Sequence, residues 1–126
     1  MKTAVLAAAA AVALAVTGCT ANAATSPTGS GAVRISVNAT DDACQLSATS
    51  APAGTVTFVV ANAGTKINEF YLLEADGQQV IAEVEDIGPG VTRQLVLNAT
   101  AGKYLTVCKP GMSGNGIRAA FEVRAA

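Results

Sequence analysis

The chain has 126 residues, enough for one domain and too few for two. Its eight basic and nine acidic residues include no basic run or patch, so nothing suggests nucleic-acid binding. Histidine is absent, which excludes Ser-His-Asp and Cys-His catalysis, histidine-ligated zinc and a histidine pH switch. Because the sequence also offers no nucleophile–base pair, we expect a protein that is not an enzyme.

Residues 1–18 have the features of a bacterial lipoprotein signal peptide. Lys2 precedes an uncharged apolar run over residues 4–16, which is short for a membrane-spanning helix. The run ends in Val16-Thr17-Gly18-Cys19, which resembles a lipobox, where cleavage precedes a cysteine whose sulfur takes a diacylglyceryl group. We predict that Cys19 is lipidated and that the mature protein stays on the outer face of the cell membrane. An ordinary signal peptide cleaved at Ala21-Asn22-Ala23 is the alternative.

The cysteines and the segment after the lipobox suggest an exported domain on a tether. Residues 19–31 are small, polar and uncharged, and we predict a lipid-anchored flexible tether ahead of a domain at residues 32–126. If Cys19 carries lipid, Cys44 and Cys108 remain as a pair in an oxidising compartment. Such a pair is either a disulfide or a shared set of metal ligands, and the residues alone leave both open.

From residue 33 onward the hydrophobic period is two, which is typical of β-strands. On one predicted strand, Phe70 and Leu72 lie on one face and Glu69 and Tyr71 on the other. The segment Ile87-Gly88-Pro89-Gly90 predicts a type II turn. Seven or eight short strands with turn signals between them predict an all-β fold, two packed antiparallel sheets without a long helix. The alternating segments begin at Val33, Val56, Ile67, Val80, Leu95, Tyr104 and Ile117.

Two segments resemble the parts of a cupredoxin that hold copper. Asn-x-Gly at residues 62–64, followed by Asn68-Glu69 and an aromatic residue, resembles the strand that brings in the first copper histidine. A Tyr-led strand ending in Cys108, then Pro-Gly-Met112, resembles the loop that carries Cys, His and Met. Both histidines are missing here. A blue copper centre needs two His and one Cys with a weak axial Met, so this chain cannot build one.

Four segments together are similar to the cupredoxin domain of EfeO-type bacterial iron-uptake lipoproteins. They are Asp-Asp-Ala-Cys at 41–44, Asn-Glu-Phe-Tyr at 68–71, Glu-Val-Glu-Asp-Ile-Gly-Pro-Gly at 83–90 and Cys-Lys-Pro-Gly-Met-Ser-Gly-Asn-Gly-Ile-Arg at 108–118. The resemblance implies a cupredoxin-like Greek-key β-sandwich that binds a copper or iron ion outside the cytoplasm, in iron or copper handling. It also implies an iron permease or a peroxidase as partner. The helical imelysin-type domain usual in EfeO proteins is not found in this sequence.

Carried over residue by residue, the resemblance implies a metal site. Its predicted ligands are Cys44, Glu69, Cys108 and Met112, with Asp41 and Asp42 as further candidates nearby. This set is chemically mixed, because thiolates and a thioether favour Cu(I) or zinc, whereas carboxylates favour hard ions such as Fe(III).

A disulfide-stapled interaction module without metal is the competing hypothesis. In that case the two cysteines form a disulfide, the aspartates form a solvated turn and Met112 fills the core. A copper protein that oxidises Fe(II) is the third hypothesis, and the lack of imidazole ligands counts against it. We predict that Cys44 and Cys108 lie close together in either of the first two cases. Glu69 discriminates between them: turned toward the sulfurs it favours a metal, and turned to solvent it favours the staple.

Overall fold

The computed structural model describes residues 31–126, and more than half of that segment is β-strand. The predicted signal peptide, Cys19 and the tether up to residue 30 lie outside the described residues. The strands are β1 (Val33–Ala39), β2 (Cys44–Leu46), β3 (Ser50–Pro52), β4 (Gly54–Asn62), β5 (Asn68–Glu74), β6 (Val80–Ile87), β7 (Thr92–Ala99), β8 (Gly102–Cys108) and β9 (Ile117–Arg124). A single 3₁₀ turn, Pro110–Met112, follows β8. Within the described part of the chain, no helix is long and apolar enough to cross a membrane.

The strands form two sheets, one in the order β2-β1-β4-β7 and the other β3-β9-β8-β5-β6. This confirms the predicted all-β sandwich, with two differences. Residues 31–126 contain nine strands, whereas we predicted seven or eight. The difference arises because β2 and β3 have three residues each and are too short for periodicity to detect. The pairs β1/β4 and β3/β9 are parallel, whereas we predicted antiparallel pairing throughout. Side chains alternate with period two in both kinds of pairing, so the hydrophobic pattern could not separate them.

The core lies between the two sheets and is built from their inward-facing residues. On β1 the residues Ile35, Val37 and Ala39 are buried and alternate with exposed neighbours, as the pattern predicts. Phe58 of β4 is fully buried at the centre, and its ring centroid lies 5.1 Å from that of Phe70 and 5.3 Å from that of Phe121. Because β4 belongs to one sheet and the other two rings to the opposite sheet, this aromatic cluster joins the layers.

The connection between β6 and β7 is the predicted turn, displaced by one residue. The amide of Val91 donates to the carbonyl of Gly88 (3.0 Å), and Gly90 has φ 75°. Pro89 and Gly90 are therefore the two central residues, and Gly90 stands where a type II turn requires positive φ. The backbone oxygen of Asn62 accepts a hydrogen bond from Gly90 (2.8 Å), which ties this turn to the end of β4.

Candidate functional site

The two predicted cysteine ligands lie at one end of the sandwich and are bonded to each other. Cys44 begins β2 in the four-stranded sheet, and Cys108 ends β8 in the five-stranded sheet. Their Cα atoms are 5.6 Å apart, and their sulfurs form a disulfide. Cys108 is fully buried within the core. The predicted closeness of the two cysteines is confirmed, and in this structure they form a disulfide and not a pair of metal ligands. The disulfide joins one sheet to the other.

Glu69 does not join the cysteines, because it lies on the other face of its sheet. Phe70 of β5 is paired with Cys108 of β8, so these two side chains share the core face. Glu69 comes one residue earlier and therefore points to the outer face, as does Tyr71. Our prediction of Cys44, Glu69 and Cys108 as one ligand set is not met in this geometry, since a sheet separates the carboxylate from the sulfurs.

The competing hypothesis assumed that Glu69 is a solvated surface charge, and this is also wrong. It is only 8% exposed, and the hydroxyl of Tyr71 donates a hydrogen bond to its Oε2 (2.6 Å). A buried carboxylate is stable only when hydrogen-bonded or paired, and Tyr71 provides such a bond. The buried Glu69 and the half-buried Tyr71 form a polar pair on the outer face, an outcome that neither hypothesis about Glu69 anticipated.

Asp41 has a structural role at the same end of the sandwich. Its carboxylate accepts hydrogen bonds from the amides of Thr65 (3.0 Å) and Lys66 (3.1 Å) and from the Thr65 hydroxyl (2.5 Å). The Thr65 hydroxyl bond is the largest of the effects that hold the pKa of Asp41 below its ordinary value. A Cβ atom at Gly64 would collide with Oδ1 of Asp41 and lie 2.9 Å from its backbone nitrogen, so this contact needs glycine. The oxygens of Asp41 thus hold the loop after β4.

Asp42 and Met112 are exposed. Asp42 lies in the bend between β1 and β2. Met112 is 43% exposed at the end of the 3₁₀ turn, where its φ is 55°. The suggestion that Met112 fills the core is therefore wrong, because its side chain has not been withdrawn from water.

Asn62 is an organising residue whose role the sequence interpretation missed. Its side chain is 1% exposed, and its Nδ2 donates to the carbonyls of Lys66 (2.8 Å) and Ile87 (2.7 Å). Its Oδ1 accepts from the amide of Gly64 (2.9 Å). Asparagine suits such a role because its amide both donates and accepts close to its own backbone. The Asn-x-Gly motif, which carries the resemblance to cupredoxins, therefore also indicates a loop built around one side chain.

Asn68 carries an unpaired donor on the core face of the five-stranded sheet. It is fully buried, and its Nδ2 has no hydrogen-bond partner, the one buried side-chain atom of residues 31–126 in that condition. It lies two residues before Phe70, so it is a diagonal neighbour of Cys108 on the same face. A buried donor left unpaired costs about 1–3 kcal/mol. The end of the sandwich that holds the disulfide therefore also holds an unused N–H group.

These residues do not fit a copper or iron ion in the oxidised form of the protein. A cysteine binds a metal ion through its thiolate, and both of these sulfurs are in a disulfide. Across residues 31–126 there is no cluster of three or more Cys, Asp, Glu or His side chains able to hold a metal. Of the predicted ligands, Cys44 and Cys108 are bonded to each other, and Glu69 lies on the opposite face of the sheet.

Tyr71 is the most perturbed titratable group in the described structure. Burial, the hydrogen bond to Glu69 and the carboxylates of Glu85 and Glu83, in that order, raise its pKa well above the ordinary 10.0. On the other side, the Lys109 ammonium lies 5.2 Å from the ring centroid in a cation–π contact. The phenol of Tyr71 therefore stays protonated well into the alkaline pH range, and it keeps donating its hydrogen bond to Glu69 there.

We expect Tyr71→Phe to remove part of the alkaline pH dependence of stability. Because the folded-state pKa is raised, the contribution of Tyr71 is complete below its unfolded value of about 10 and is lost as the pH rises toward the folded value. Urea unfolding between about pH 9 and pH 11 should show the native protein losing stability faster than the variant. Parallel curves for the two proteins would contradict this prediction.

The comparisons with known proteins agree with the geometry. A family model described as "Cupredoxin-like domain" matches residues 6–119. The chain is 37% identical over 76 residues to proteins named "Iron uptake system component EfeO" from Yersinia pseudotuberculosis and Yersinia pestis. That match covers 60% of this chain and 19% of each relative, so the chain corresponds to a small part of their length.

Solved copper proteins share the fold. Dithionite-reduced auracyanin from Roseiflexus castenholzii superposes with a TM-score of 0.56 at 19% identity, over 74% of this chain and 98% of that one. The "blue" copper protein auracyanin A from Chloroflexus aurantiacus gives 0.57 at 19% identity, over 75% of this chain and all of that one. At this identity the likeness concerns the fold alone. Because the family model matches residues 6–119, which is most of the chain, this chain belongs to the cupredoxin-like domain family.

Proposed function

We propose that this protein is an extracytoplasmic, lipid-anchored component of iron handling whose oxidised form is a disulfide-stapled interaction module. The Cys44–Cys108 disulfide carries this proposal, because it uses both of the thiols that the resemblance assigns to a metal. Support for the pathway comes from relatives named as components of an iron uptake system. The partner in this proposal is an iron permease or a peroxidase, and the protein itself is not an enzyme.

Metal binding by the reduced protein is the second candidate. The two cysteines lie with Cα atoms 5.6 Å apart, so after reduction both thiolates would be within reach of one soft ion such as Cu(I). The unpaired Nδ2 of Asn68 on the same sheet face would be a donor beside the sulfur of Cys108. Glu69 would not take part, since it lies on the opposite face.

Thiol and metal counts on one preparation test both candidates. We expect denatured protein, never exposed to reductant, to show no free thiol at Cys44 or Cys108. The folded, oxidised protein should retain no stoichiometric metal after incubation with Cu(II) or Fe(III) and desalting, and it should develop no intense blue colour. The reduced protein, loaded with Cu(I) without oxygen, should retain copper, and the Cys44→Ser/Cys108→Ser variant should not. Stoichiometric copper on the oxidised protein would overturn the first candidate.

The anchor is tested separately. Cys19→Ser should move the protein from the membrane fraction to the soluble fraction, because acyl chains on Cys19 are the proposed hold on the membrane. Fractionation followed by immunoblotting measures this, with Cys44→Ser as a cysteine control that should stay with the membrane. Equal membrane retention of the Cys19 variant would show that this residue is not the anchor.

A further inference from the structure

A cavity of about 140 Å³ opens on the outer face of the five-stranded sheet, opposite to the core. Tyr71, Val107 and Arg118 occupy one row across β5, β8 and β9, so their side chains share that face. The turn between β5 and β6 and the loop before β9 supply the rim, through Gln78 and Asn115 among others. This row lies next to the row that contains Cys108 but on the opposite face of the sheet.

Two positive charges are fixed at this cavity. The Nε of Arg118 donates to the backbone oxygen of Asn115 (2.8 Å), which orients the guanidinium. A Cβ atom added to Gly77 would lie 2.7 Å from Nη1 of Arg118, so the turn passes directly over it. Lys109 lies against the Tyr71 ring. The partners that hold these cations are a carbonyl and an aromatic ring, and neither neutralises a charge.

The loop that closes one side of the cavity is held close by glycine. Gly116 has φ 70°, and a Cβ atom there would lie 2.7 Å from the carbonyl oxygen of Cys108 and 2.8 Å from Cγ of Lys109. A larger residue would collide with both of these atoms and push the loop away from β8. The short distance between the loop and Lys109 is therefore set by the backbone and exists before any ligand binds.

The chemistry of the lining favours a small anion with an apolar body. Leu73 and Val107 are buried beneath the cavity and Val80 flanks it, which gives an apolar floor. The charged groups that line it, Lys109 and Arg118, are donors only. Glu83 is paired with Tyr71 across β5 and β6, and Glu69 accepts the hydrogen bond of the Tyr71 hydroxyl, so both carboxylates lie on this face and a second negative charge on a ligand would be unfavourable there.

We propose that this cavity binds a small organic monocarboxylate, its carboxylate held by Arg118 and Lys109 and its body on the apolar floor. A buried cavity of about 150 Å³ accommodates benzene, so the ligand has about six to eight heavy atoms. Guanidinium and carboxylate form short, charge-assisted hydrogen bonds, which supply most of the selectivity. The cavity lies on the opposite face of the sheet from Cys108, so binding there does not depend on the state of the disulfide or on the proposed function.

Butyrate and its neutral isostere butyramide test the proposal on the ¹⁵N-labelled full chain by NMR titration. We expect saturable shifts with butyrate at the amides of Gly77 and Asn115, and none with butyramide. Lys109→Gln and Arg118→Gln should each weaken butyrate binding about tenfold. Arg93→Gln removes a cation from an exposed position on the other sheet and should leave binding unchanged.

Several results would overturn the proposal. They are no saturable shift up to tens of millimolar butyrate, an equal response to butyramide, or equal weakening by Arg93→Gln. Binding of a glutamate-containing peptide without binding of butyrate would also contradict it, because the site would then recognise an acidic partner chain. Because Arg118 also holds Asn115, thermal unfolding of each variant is compared with the parent, and Lys109→Gln decides the outcome if the arginine variant is destabilised.

Discussion

The Cys44→Ala/Cys108→Ala double variant is expected to lose about 4 kcal/mol of unfolding free energy relative to the oxidised protein. The cysteines are 64 residues apart, and closing a loop of that length restricts the unfolded chain by about this amount in the chain-entropy model. For a domain of this size the loss corresponds to a decrease in melting temperature of about 15–30 °C.

Urea unfolding with and without reductant measures the effect. The oxidised parent should lose a similar free energy when reductant is added, whereas the double variant should not respond, which makes it the control for nonspecific effects of reductant. A difference below about 1 kcal/mol between the oxidised parent and the double variant would show that the disulfide contributes little to stability.

Phe58→Ala is the second variant with a large expected effect. Phe58 is 0% exposed and touches aromatic rings of the opposite sheet, so its removal leaves a cavity where the layers meet. Such a change costs about 3–5 kcal/mol. We expect a lower urea midpoint, with the oxidised disulfide still formed.

Two controls separate this effect from a general sensitivity of the strands to substitution. Phe58→Leu keeps an apolar side chain at the centre and should cost clearly less than Phe58→Ala. Val96→Ala, on β7 beside the same strand but 59% exposed, should change stability by no more than about 0.5 kcal/mol. Similar losses in the alanine variants of Phe58 and Val96 would contradict the assigned core.

The sequence predicted the layers of the fold better than the direction of its strands. Alternation placed Ile35 and Val37 inside and Glu69 opposite to Phe70, because burial has the same period as the pleat. It carries no information on whether β1 meets β4 in parallel, since that depends on how the chain crosses between the sheets.

Only part of the arrangement at the candidate site was predicted from the sequence. The closeness of Cys44 and Cys108 followed from the family resemblance and is confirmed. The alternation that placed Glu69 opposite to Phe70 also separates it from Cys108, but only the register of β5 with β8 reveals this. The pairing of β5 with β8 and the hydrogen bond between Thr65 and Asp41 both bring together segments that are far apart in the chain. Local sequence patterns do not encode such contacts.

The position of the first and last strands of residues 31–126, β1 and β9, relative to the disulfide determines how the domain unfolds. The covalent ring runs from Cys44 to Cys108, so β1 and β9 lie outside it. Each is nevertheless an interior strand, β1 between β2 and β4, and β9 between β3 and β8. Neither can detach without splitting its sheet into two pieces, so fraying from the ends is suppressed even though the ends are not cross-linked. The sandwich should therefore open in a single cooperative transition.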